Sequence, residues 1–209
     1  MTKILAQEYK QLKEDAQEGF IVNLVKEDDL FLWEVALFGP PGTIYQGGYF
    51  KAHMQIPVNY PFEPPSFKFL SKMWHPNIFE TGEVCISILD NEWTSALRIE
   101  KLLISIISLL NEPNSSNAAN VDASRTYLLW RQGDNNLYED MIKHEVAESR
   151  AEADKDGVVV PLTVEQYCAK HTSVEHDDLW MLIHEFNSID SDSDLDSEDE
   201  AADEDVLDV

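Results

Sequence analysis

Apolar positions at the start of the chain recur at helical spacing. Leu5, Tyr9, Leu12 and Ala16 fall on one face behind Thr2, a residue suited to capping, and Gly19 ends the pattern. Three strand-like stretches follow, Phe20 to Val25, Leu30 to Phe38 and Tyr49 to Ile56. The second, within DLFLWEVALFG, is apolar on both alternating phases, which predicts a central strand rather than an edge. A fourth short strand, Ser66 to Leu70, sits behind the stiff segment YPFEPP. The connections are too short for parallel crossovers, so the four strands should form an antiparallel meander. From Leu97 the period becomes helical: Ile99, Leu102, Leu103, Ile106, Ile107 and Leu110 predict a buried helix that ends at Asn111-Glu112-Pro113-Asn114. Asp122 to Gln132 and Asn135 to Asp154 read as two more helices, the second closing at Gly157. The order of helix, meander and helices gives an α+β class.

Composition changes this picture at the C-terminus. The chain has 209 residues, 40 acidic against 15 basic, and a net charge of -25. Such a surface repels phosphates, so protein partners are expected rather than nucleic acid or a membrane. Asp190 to Val209 alone holds eleven acids and no base, too much charge to collapse. It is either a solvated tail that aids solubility or a lure for a basic partner. Ser191, Ser193 and Ser197 each have an acid three residues on, a pattern that acidic runs also produce by chance. The expected division is a core at 1–157, an extension at 158–185 and an acidic disordered tail at 186–209. The extension carries the apolar clusters VVV and LWMLI, which could dock on the core or on a partner.

Cys85 and Cys168 stand 83 positions apart with no CxxC pair, so both are read as reduced thiols. No apolar run approaches membrane-spanning length and the N-terminus lacks a signal-peptide core. The expectation is a soluble protein of the cytoplasm and/or nucleus.

Between the strands and the helices lies KMWHPNIFETGEVCISILDNEW, a stretch without clear period that contains His75, Asn77 and Cys85. A functional loop on a rigid scaffold has this character. By itself Cys85, between Val84 and Ile86, suits a buried structural thiol as well as a nucleophile. His75 precedes Pro76, which fixes the turn, so the imidazole is expected to pin backbone rather than act as a base.

The ordered set PPGTIYQGGYF (40–50), YPFEPP (60–65), HPN (75–77), Cys85 eight residues later and Trp93 eight beyond that resembles the ubiquitin-conjugating enzymes. The resemblance implies their fold: an N-terminal helix, a four-stranded antiparallel meander, an active-site loop and C-terminal helices. It makes Cys85 the nucleophile that forms the ubiquitin thioester and places the Asn77 amide near the developing oxyanion, where the alternative is an amide that only ties the loop. SLLNEPN, ANVDAS and CISIL look like the branch that serves cullin-RING ligases, whose cell-cycle members carry acidic tails, and the stretch ending at Cys168 resembles that branch's extension. Cys168 is thereby a bystander. One feature departs from the branch: only Ile86 to Glu92 separate Cys85 from Trp93, where the branch inserts about a dozen acid-rich residues. Ser87 and Asn117 stand where other branches carry aspartates, and Ser95 where a proline is common.

The resemblance further implies ubiquitin, the ubiquitin-activating enzyme, a RING-type ligase and protein substrates as partners. No cofactor is implied, because ATP is consumed by the activating enzyme upstream. Phe62, with Ser95 and Ala96, should form an exposed ligase contact, the alternative for Phe62 being a buried staple. Lys3, Lys10 and Lys13 should meet the activating enzyme, unless they are ordinary solvated lysines. Transfer also requires a neutral lysine, a small fraction at neutral pH. Ser87, Asp90, Glu92, Glu63 and Asn117 are the residues near the cysteine that could orient or deprotonate it, although each carboxylate is equally readable as a solvated charge. Two other functions stay open: a non-catalytic ubiquitin- or ligase-binding variant of the same fold, and a thiol hydrolase built on Cys85 and His75.

Overall fold

The computed structural model describes residues 2–14 and 18–168. Helix α1 (Thr2–Glu14) leads into a sheet of β1 (Phe20–Leu24), β2 (Leu32–Phe38), β3 (Tyr49–Gln55) and β4 (Ser66–Phe69). The strands lie in the order β1-β2-β3-β4 and all pair antiparallel, so the meander is as expected and β2 is central. After the loop follow α2 (Ile99–Asn111), α3 (Val121–Gln132), α4 (Leu137–Asp156) and the short α5 (Val164–Tyr167).

Element ends shift by a residue or two from the sequence expectation, for local reasons. Leu30 is buried but precedes β2, because the Asp29 carboxylate accepts the Phe31 N–H and the Leu30 carbonyl takes the Trp33 indole N–H. Helix α3 begins at Val121 because the Asn120 side chain accepts the Ala123 N–H as an N-cap. Helix α4 runs from Leu137 to Asp156 and stops at Gly157, which takes the left-handed conformation that favours glycine. The predicted contact at Ala16 lies outside the described residues, as do the acidic tail and the LWMLI cluster.

The two apolar phases of β2 serve two cores. Trp33, Val35 and Leu37 face inward with Phe50, Ala52, Met54, Phe67 and Phe69, beneath Leu5, Tyr9 and Leu12 of α1 and the buried stripe of α2. Ile107, expected in that stripe, is only half-buried. Ala36 and Phe38 face the other way and join Tyr49 and Ala153, with Val158, Val160 and Tyr167 of the extension packed over them. Residues 158–168 therefore form a strap across the outer face of the sheet. Coverage on both sides explains why Ala36 and Phe38 are apolar on the second phase of β2, while Glu34, the one charged residue on that phase, stays partly exposed and pairs with Lys51 at 3.2 Å.

Candidate active site

The loop that leaves β4 is organised by short backbone hydrogen bonds rather than by a helix or strand. Two isolated bridges, Lys68 to Glu83 and Ile78 to Val84, which the sequence pattern did not reveal, fold it into a small hairpin. Gly82 closes the turn at φ +97°, and a Cβ there would stand 2.3 Å from the Phe69 carbonyl oxygen, so only glycine fits. The returning arm delivers Cys85, whose N–H donates to the Asn77 carbonyl at 2.8 Å. Its thiol is half-buried.

His75 is fully buried. Its Nδ1 accepts the Asn77 N–H at 3.0 Å, which leaves Nε2 to donate to the Leu109 carbonyl of α2 at 3.0 Å. Burial pulls its pKa down to about 4, so the ring is neutral and both nitrogens are engaged. It pins backbone, as expected, and has no lone pair left for Cys85. The Pro76 carbonyl accepts the N–H groups of Ala119 and Asn120 at 2.8 and 3.0 Å. Asn77 is 1% exposed. Its Nδ2 donates to the carbonyls of Asn114 and Asn117 at 2.8 and 3.0 Å, and its Oδ1 accepts the Asn114 N–H at 2.8 Å. The amide thus ties the cysteine loop to the segment after α2.

Beyond Cys85, Ile86 is extended and packs toward the core, and a 3-10 turn spans Ser87–Leu89. The Ser87 carbonyl accepts the N–H groups of both Asp90 and Glu92 at 3.0 Å, and the Ser87 hydroxyl donates to Glu92 Oε2 at 2.6 Å. Ser87, Asp90, Glu92 and Asn117 are all exposed on this side. Glu63 is exposed in the earlier loop and accepts the Asn59 side-chain N–H at 2.9 Å.

Phe62 is 77% exposed, so the staple alternative falls, and Ser95 and Ala96 are exposed as well. The Trp93 indole joins the two loops by donating to the Pro61 carbonyl at 2.8 Å, with its ring against Tyr60. Beneath them Glu8 of α1, almost buried, accepts the Tyr60 hydroxyl at 2.8 Å, the Arg98 guanidinium at 3.0 Å and the Ile99 N–H at 3.2 Å. One carboxylate thereby holds both loops and the start of α2. Sequence reasoning missed Glu8, and it missed Glu145 of α4, whose Oε2 accepts the Trp74 N–H at 2.8 Å at the entrance to the cysteine loop. Each is an acid on the buried phase of its helix, and that was the available signal.

The three lysines of α1 differ. Lys3 is exposed, Lys10 lies 3.7 Å from Glu14, and Lys13 is drawn onto β1, where its Nζ donates to the Val22 carbonyl and Asn23 Oδ1. Cys168 is exposed at the end of α5. Among the described residues no group of three or more His, Cys, Asp or Glu side chains is placed to hold a metal, and no helix is long and apolar enough to cross a membrane.

A half-buried thiol held by its own backbone, with both nitrogens of the neighbouring His75 engaged elsewhere, suits a residue acylated by another enzyme rather than one activated by that imidazole. Comparison with known proteins points the same way. The family model described as ubiquitin-conjugating enzyme matches residues 4–146. The chain is 42% identical over 167 residues to "Ubiquitin-conjugating enzyme E2" of African swine fever virus (isolate Pig/Kenya/KEN-50/1950), covering 76% of each chain. It is 44% identical over 135 residues to the protein of the same name in the Badajoz 1971 Vero-adapted strain, covering 61% of this chain and 62% of the other. With "Ubiquitin-conjugating enzyme E2 14" of Arabidopsis thaliana the identity is 40% over 141 residues, covering 61% of this chain and 83% of the relative. The matched span holds the helix, the meander and the whole cysteine loop, and on that match the chain belongs to the ubiquitin-conjugating enzyme family.

Proposed function

We propose that this enzyme takes ubiquitin from the ubiquitin-activating enzyme as a thioester on Cys85 and passes it to substrate lysines beside a RING-type ligase of the cullin-based class. The observation that carries the reading is Cys85 itself, a half-buried thiol at the outlet of a loop pinned from α2 and from the segment that follows it. In the transfer step the lysine nitrogen attacks the thioester carbonyl carbon and the carbonyl pair moves to oxygen. Collapse of that oxyanion expels the Cys85 thiolate, and the nitrogen loses a proton. Asn77 supports this chemistry by fixing the loop; donating to the oxyanion would require one of its two N–H groups to leave a carbonyl.

Phe62, Ser95 and Ala96 present the ligase contact, and Lys3 and Lys10, with Lys13 held against β1, present the activating-enzyme contact. SLLNEPN, ANVDAS and CISIL, with the acidic tail, favour the cullin-serving branch and a cell-cycle setting in the cytoplasm or nucleus. ATP is used upstream and no cofactor is required here. The test is incubation of the chain with activating enzyme, ATP and ubiquitin. A reductant-labile adduct is expected on the wild type and on Cys168→Ala, a reductant-resistant ester on Cys85→Ser, and none on Cys85→Ala. Absence of any adduct on the wild type would leave the non-catalytic binding module, against which the retained Cys85 argues.

A further inference from the structure

The short connection between Cys85 and Trp93 builds a feature that a longer loop would disperse. Ile86 has φ -143° and ψ 140°, and in extended backbone alternate side chains share a side. Ile86 packs inward, so one extended, inward-facing residue separates the half-buried Cys85 from Ser87, which is exposed at the start of the 3-10 turn. The chain then turns back on Ser87: the Asp90 and Glu92 N–H groups both bond its carbonyl, and its hydroxyl donates to Glu92 Oε2 at 2.6 Å. Three hydrogen bonds converge on one residue. With its single proton committed to Glu92, the Ser87 oxygen offers only lone pairs outward. An incoming lysine carries only N–H donors, and it is positively charged at neutral pH.

We propose that Ser87 and Glu92 act as one unit that receives the substrate lysine: Ser87 Oγ accepts an amine N–H, and Glu92 supplies the negative charge and takes the proton. One ammonium proton passes to Ser87 Oγ while the hydroxyl proton moves to Glu92, which leaves a lone pair on nitrogen; that pair bonds the thioester carbon as the carbonyl pair moves to oxygen. The nitrogen gives its second proton to water, collapse of the oxyanion expels the Cys85 thiolate with the C–S pair, and Glu92 later returns the first proton to water. This rests on the carrier reading of Cys85 and supplies the lysine-handling group that the absent acid-rich insertion leaves unassigned.

The experiment uses the full chain, charged with ubiquitin, freed of activating enzyme and ATP, and followed in a single turnover so that the extent of loading cancels. Discharge to free lysine should fall about tenfold or more in Glu92→Gln and in Ser87→Ala, the low end for a positioned proton acceptor at an exposed site. The double variant should lose no more than either single, because one unit is broken in each case. Ser87→Thr, which keeps the hydroxyl, should retain most of the rate. Discharge to hydroxylamine, an amine already neutral at neutral pH, should change less than about twofold in Glu92→Gln, where a merely structural disturbance would slow both nucleophiles alike. Lysine discharge unchanged in Glu92→Gln, additive losses in the double variant, or equal loss to both amines would each overturn the dyad while leaving the thioester reading intact. Failure of the wild type to load would remove both.

Discussion

Asn77→Ala separates two roles that the sequence leaves undivided. The substitution deletes two donated hydrogen bonds, to the carbonyls of Asn114 and Asn117, and one accepted from the Asn114 N–H. A net worth of about 1 kcal/mol each predicts a loss of about 3 kcal/mol. Asn114 and Asn117 are exposed, so water can satisfy the groups left behind and the loss should not grow much beyond that. For a domain of this size the midpoint of thermal unfolding should fall by about 6–12 °C. Asn77→Asp should be worse than Ala although it is isosteric, because a carboxylate oxygen would then face two carbonyl oxygens. The assay is circular dichroism on heating, paired with single-turnover discharge of the thioester. An oxyanion donor with no structural duty would give the opposite pattern, with discharge reduced by about 10²–10³. A midpoint lowered by less than about 1 °C together with that loss of rate would refute the tether.

Other perturbations test separate parts of the molecule. Burial holds His75 down at about 4 and Glu145 up at about 7. Between about pH 6.5 and 4.5 acid therefore destabilises through His75, protonated first in the unfolded chain, and stabilises through Glu145, protonated first in the folded chain. Glu145→Gln should remove the compensation, so that urea-measured stability falls with acid more steeply than in the wild type by about 1.4 kcal/mol per pH unit; parallel curves would deny the assignment. Gly19→Ala should cost more than Gly133→Ala: both residues have positive φ, but only at Gly19 would the new Cβ meet the strap, 2.2 Å from the Tyr167 hydroxyl. Equal unfolding midpoints would mean that the strap does not press on Gly19. Phe62→Ala should leave stability within about 0.5 kcal/mol and weaken ligase binding, as titration would show. Truncation before Asp190 should slow ligase association about tenfold or more at low salt, with little effect at high salt, and a scrambled tail of equal charge should restore the rate. An unchanged association rate would reduce the tail to a solubility device.

The meander was legible because each strand carries its own apolar phase and the connections exclude crossovers. Both-sided apolarity in β2 marked it as central, though not what would cover its second face; that answer lay in Val158, Val160 and Tyr167, more than a hundred residues away in the chain. Cys85 and His75 were legible through motif spacing, and the role of His75 through its proline. The Ser87 to Glu92 bond was not, since a turn that closes on one carbonyl has no period and no characteristic composition. Glu8 and Glu145 were visible only as charges on the wrong face of a helix, and a helix tolerates such a charge when a partner from another element meets it.

Those two carboxylates explain how a loop with so little regular structure holds a cysteine still. Glu145 fixes Trp74 at its entrance, the Leu109 carbonyl fixes His75 one residue on, and Asn77 fixes the far side to Asn114 and Asn117. At the exit Trp93 bonds Pro61, and Glu8 beneath holds Tyr60, Arg98 and the first turn of α2. Every anchor comes from α1, α2, α4, the neighbouring loop or the segment after α2, and none requires a side chain to point at the thiol. The space around Cys85 is thus left to exposed residues, and on the carrier reading proposed above ubiquitin, lysine and ligase would meet there in turn without disturbing the frame. Rigid backbone with a permissive rim is the arrangement an acyl carrier needs, because its thioester must persist until the correct amine arrives.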